Sequence, residues 1–182
     1  PTGINKVGAN STTTTDNMVT AGTGDDVVVL STDVNDSSQE KLMFSAGFGN
    51  DTVVNFETNA GVAAASDILN FRAYLVEATA TTLDNAIDAT VNSEIDIVAE
   101  GAANDTIAEI VALYNVNDQS VASTTFTQLL ITYDADNIGN VYTVVDGAAD
   151  DDVAVTLVGT IHIAQDATDT NGWASFAVGD LA

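Results

Sequence analysis

A chain of 182 residues with 46% hydrophobic side chains holds enough apolar material for one compact domain with a buried core. Asp and Glu total 27 against 3 Lys and Arg, a formal charge of −24, which excludes nucleic-acid binding through phosphate contacts and disfavours anionic lipid surfaces. No apolar run reaches the roughly 18 residues of a membrane span, so no membrane insertion is expected, and the lack of cysteine excludes disulfides and thiolate metal centres.

In chain order, residues 1–20 are polar and Thr-rich through Ser11–Thr15 and read as a flexible or strand-exchanging arm. The start PTGINKVGANSTTTTD has no apolar signal-peptide core, and Pro1 fits either initiator-Met removal or an upstream cut. Residues 21–182 read as one β-rich domain. Up to residue 76, Gly/Asp turns alternate with short β-branched runs at Val27–Leu30, Lys41–Phe44, Thr52–Phe56 and Asp67–Phe71. The segment TTLDNAIDATV spaces Leu83, Ile87 and Val91 for a helix. A second helix is predicted over 104–114, capped by Asn104 or Asp105, with Ile107, Ile110, Val111 and Tyr114 on one face. Strands then return at Phe126–Tyr133, Val141–Val145 and Val153–Ile163, joined by DADNIGN and DGAADDD as a hairpin and meander.

The acids are unusual in kind. Of the 27, 21 are Asp, many beside Gly or Asn. Asp disfavours helices and suits turns, where its short carboxylate reaches backbone or a metal ion. Two segments repeat one pattern: AGTGDDVVV at 21–29 and AGFGNDTVV at 46–54. Both fit a Gly-x-Gly-x-Asp turn leading into a β-branched pair, which is the calcium-binding nonapeptide with Ala for its first Gly. Glycine permits the tight turn and lets backbone carbonyls approach an ion. Asp supplies a hard oxygen, and the apolar residue two positions on pins the strand to a core.

These segments resemble the repeats-in-toxin (RTX) family of calcium-binding proteins that bacteria export by type I secretion. SDILNF after the second repeat resembles the close of such repeat blocks, and the run from NVYTVVDGAADDD to WASFAVGDLA resembles the C-terminal regions of RTX-type surface and S-layer proteins. The resemblance implies calcium held between stacked turns by Gly22, Gly24 and Asp26 and by Gly47, Gly49 and Asp51, with Asp25 and Asn50 as helpers. It implies an uncleaved C-terminal export signal, the type I export machinery as a partner, and an extracellular or cell-surface address. The repeats begin 25 residues apart, where uninterrupted nonapeptides would follow directly. A long β-roll is therefore not expected; the fold class predicted is a mainly β, sandwich-like domain with a rudimentary roll and one or two short helices.

Asp134, Asp136 and Asn140 spell the front of an EF-hand loop, although Val145 stands where the closing Glu belongs. The loop reads as a hairpin turn or an auxiliary calcium site, and Asp150–Asp152 as a solvated turn. The single histidine, His162, lies in an alternating strand without the partners a metal centre needs. No G-x-S-x-G elbow is present, six Glu and 6% aromatics suit no sugar cleft, and no enzyme activity is expected. Trp173 reads as a core anchor for the last strand. The function expected is a secreted, calcium-binding structural protein that self-assembles into an extracellular surface layer, filament or matrix, its abundant strands suited to pairing between subunits. The alternative is the calcium-folding export module of a larger adhesin or hydrolase.

Overall fold

The computed structural model describes residues 4–6, 17–30, 39–58, 67–75, 83–84, 95–102, 104–118, 127–145, 153–164, 172–176 and 180–181. Six short strands open the chain: β1 (Ile4–Lys6), β2 (Asn17–Thr20), β3 (Val27–Val29), β4 (Glu40–Met43), β5 (Gly49–Val54) and β6 (Ile68–Asn70). They alternate between two sheets. β1, β3 and β5 pair in parallel in one, and β2, β4 and β6 pair in parallel in the other. Each successive pair of strands is therefore one coil, stacked on the coil before it.

The coil length explains the repeat spacing. Val27 opposes Thr52 across β3 and β5, an offset of 25 residues. The two Gly/Asp segments are thus one full coil apart and lie directly over one another. Within the stretch expected to be a flexible or strand-exchanging arm, residues 4–6 and 17–20 are strands of this stack.

After β6 come β7 (Leu83–Asp84), β8 (Ile95–Ala99), helix α1 (Ile107–Asp118), β9 (Thr127–Tyr133), β10 (Ile138–Val145), β11 (Ala154–Ala164) and a 3-10 turn at Trp173–Ser175. β8 and β9 are parallel neighbours, so the chain between them must cross over, and α1 lies in that crossover. β9, β10 and β11 form the expected antiparallel meander. β11 then lies parallel on β5, giving an eight-stranded sheet in the order β1-β3-β5-β11-β10-β9-β8-β7. Leu181 bridges Leu69 in parallel on the three-stranded sheet, so the C-terminal segment lays one more coil on the stack.

Alternation fixes which side chains enter the core. In β5, Asp51 and Val53 point inward while Asn50, Thr52 and Val54 point out. Phe44 stacks on Phe71 at 4.9 Å and meets Phe48 edge-on at 5.0 Å; each buried ring contributes about 2 kcal/mol. Trp173 is buried as expected. Its Nε1 donates to the carbonyls of Asn137 and Ile161, and its ring stacks on Phe176, which stacks on Phe56. Ile110 and Tyr114 of α1 pack with Leu130, Tyr142 and Val144 as a second cluster.

Two local expectations are corrected. The helix is capped by Thr106, not by Asn104 or Asp105. Thr106 Oγ1 accepts from Glu109 N–H, and Glu109 Oε2 accepts from Thr106 N–H at 3.1 Å, a reciprocal capping box. Asn104 instead closes the preceding loop, accepting from Gly101 N–H at 2.6 Å and donating to the Ala99 carbonyl. Leu83–Asp84, expected in a helix through Leu83, Ile87 and Val91, is a strand paired with β8. Sheet pairing overrides helical spacing there; 85–91 lie outside the described residues, as do Asp150–Asp152.

Candidate cation site

The two Gly/Asp turns form one site because they stack. Gly22, Gly24, Gly47 and Gly49 all have positive φ, from 76° to 101°, the left-handed region that glycine enters without strain. Gly49 also sits over the Gly24 carbonyl, where an added Cβ would lie 2.9 Å from the Gly24 oxygen. The column continues into the last coil, since a Cβ on Gly159 would overlap the Gly49 carbonyl and the Phe48 ring. Glycine in this column serves close approach as well as turn geometry.

Backbone bonds hold the turns in register. Gly24 N–H donates to the Gly47 carbonyl and Thr52 N–H to the Asp26 carbonyl. On the outer face, Asp25 Oδ1 accepts from the N–H and the side-chain amide of Asn50, and Asn50 Oδ1 accepts from Thr160 Oγ1 at 2.8 Å. Asn50 is thus a donor to one coil and an acceptor from the next. That role requires an amide and leaves its side-chain oxygen engaged.

On the inner face Asp26 and Asp51 stack. Both are buried, and Asp51 is only 2% exposed. Asp51 Oδ1 accepts from Asp26 N–H at 2.9 Å. Asp51 Oδ2 is buried and accepts no hydrogen bond. Burial pushes the Asp51 carboxyl up to about 6; the Asp26 N–H bond opposes the rise, and the nearby Asp26 and Asp25 carboxylates add to it. A buried, under-coordinated carboxylate oxygen beside a second acid is the arrangement a hard cation relieves.

Among the described residues, no three acidic or histidine side chains converge on one point. A cation held here would need the carboxylates of Asp26 and Asp51 together with backbone carbonyls of the two turns.

The other predicted residues lie elsewhere. Asp134 Oδ1 accepts from the N–H groups of Asp136 and Ile138, and Asn137 takes φ 58°. This carboxylate holds the β9–β10 turn as an Asx motif. Asn140 donates to Glu100 Oε1 at 2.7 Å, and Thr132 Oγ1 donates to the same oxygen at 3.1 Å. Asp134, Asp136 and Asn140 are not brought together as a ligand set. His162 is half-buried on β11, opposite Thr52.

Sequence reasoning missed a buried acid pair. Glu40 and Asp67 start neighbouring strands, 5% and 2% exposed. Asp67 Oδ1 accepts from Glu40 N–H and Oδ2 from Glu57 N–H. Burial and the adjoining Glu40 carboxyl push Asp67 up to about 9, so Asp67 keeps its proton near neutral pH. The signal was present, because EKLMF and DILNF place an acid four residues before Phe44 and Phe71 alike.

Comparison with protein-family models, with curated proteins and with solved structures finds no match to this chain.

Proposed function

We propose that this is a calcium-stapled, non-enzymatic structural protein, exported from a bacterial cell and self-associating outside it. One observation carries the reading: Asp51 Oδ2, buried and unpartnered, beside Asp26 in stacked turns of left-handed glycines. Calcium suits this donor set because it accepts irregular oxygen shells of carboxylates and carbonyls. A chain of charge −24 repels its own collapse until cations neutralise its turns, which fits export unfolded from a calcium-poor cytosol and folding outside.

Self-association draws on the first coil. β1 and β2 end their sheets, and among the described residues no further strand pairs with either. Met18 on β2 is 70% exposed. β2 carries neither lysine nor proline, so its edge is open to strand addition, whereas Lys6 stands on β1.

Light scattering with circular dichroism, on chelated protein titrated with calcium, tests both parts. Calcium should raise β-structure and then mass. If calcium leaves both signals flat, the proposal is overturned; folding without a rise in mass removes the self-association alone.

A further inference from the structure

We infer that cation occupancy of the buried Asp26–Asp51 pair controls the docking of β11 on β5, and so whether the two halves of the large sheet lock together. The inference rests on the cation reading above and adds a moving part to it.

The joint is small. Six residue pairs, Gly159 opposite Gly49 through Ala164 opposite Val54, connect β11 to β5. Everything from β7 to β11 meets the β1–β3–β5 stack in the large sheet through this one seam. Its fit depends on Gly159, which leaves no room for a side chain against Gly49 and Phe48, and on the Thr160–Asn50 hydrogen bond.

The seam closes over the acid column. Ile161 opposes Asp51 in register, one strand beyond Asp26, and is itself fully buried. The third rung of the column is therefore apolar. Docking Ile161 takes water from a carboxylate whose Oδ2 has no protein partner. Burying an uncompensated carboxylate is strongly unfavourable. A cation between Asp26 and Asp51 removes that penalty, so binding and docking favour each other. Linkage makes this reciprocal: a docked β11 must tighten the site by the factor by which the cation favours docking.

Two measurements on the full chain test the coupling. Calcium binding is read by calorimetry and amide hydrogen exchange is followed in calcium and in chelator. Amides bonded across the β5–β11 seam should exchange at least roughly tenfold faster in chelator, while those between β9 and β10 change less. Thr160→Val, which removes the seam's side-chain bond to Asn50 and changes no proposed ligand, should weaken calcium binding by roughly threefold or more. Wild-type exchange decides the question alone if that variant does not fold. Calcium binding with equal seam protection in both conditions would overturn the coupling and leave the cation site standing. No calcium binding at all would overturn the site itself and the coupling with it.

Discussion

Asp26 N–H donates to Asp51 Oδ1 at 2.9 Å, joining two aspartates 25 residues apart in sequence and one coil apart in space. The bond uses one oxygen of Asp51 and leaves the other without a partner. Asp51→Asn keeps the acceptor and removes the charge. In chelator the variant should be more stable than wild type by about 1–2 kcal/mol, while its calcium affinity falls at least tenfold. Urea melts with and without calcium check this, and a variant weaker than wild type in chelator contradicts it.

The same carboxyl sets a pH dependence. Its folded value of about 6 lies above the ordinary 3.8, so its contribution is fully present below about pH 4 and is lost as pH rises through 6. Chelated protein should therefore melt at lower temperature at pH 7 than at pH 5. Calcium should flatten or reverse that slope. Thermal melts across this range, with and without chelator, read it directly.

A second dependence belongs to Glu40 and Asp67. Asp67, held up to about 9 by burial and by Glu40, contributes stability that is lost as pH rises through 9. Among the described neighbours, the Glu57 backbone N–H donates to Asp67 and opposes the rise, and Lys41 follows Glu40 on β4 with its side chain on the opposite face. Glu40→Gln replaces the carboxyl beside Asp67 with a neutral amide. It should fold normally and remove most of the stability loss between pH 8 and 10; an unchanged alkaline transition would assign that loss to other groups.

Asn50 bridges Asp25 and Thr160 through opposite ends of one amide. Asn50→Asp loses the donor and faces Asp25 with a like charge. A destabilisation of about 1–3 kcal/mol is expected in chelator, partly recovered in calcium. Asn50→Gln should not restore stability, because its longer chain misplaces both contacts.

The stacked turns were legible where the code is local. Gly22, Gly24, Gly47 and Gly49 take the left-handed geometry their spacing predicts, and Asp26 and Asp51 come together. The 25-residue gap between the repeats was legible too, as the length of a coil, but a nonapeptide frame hides it by demanding direct succession. The Thr106–Glu109 capping box is written plainly in TIAE, two residues after the Asn that competes for the assignment. What a single sequence does not display is the return of β11 to β5. That pairing joins Thr160 to Asn50 across 110 residues, and nothing in either strand alone names the other. Asp134 and Asn140 illustrate the reverse problem, since a ligand-like spelling serves a hairpin turn and a cross-strand amide bond.

The stacking of β11 on β5 also bears on how such a chain can grow. Between these strands the backbone leaves the coil, builds β7 to β10 with α1, and returns, lengthening a closure of 25 residues to one of 110. Because closure entropy rises only with the logarithm of length, that detour costs about 1 kcal/mol more than another plain coil. A solenoid whose neighbouring coils supply their own register can therefore host a foreign segment of almost any size between two rungs, provided the strand that comes back carries a glycine where the column has no room.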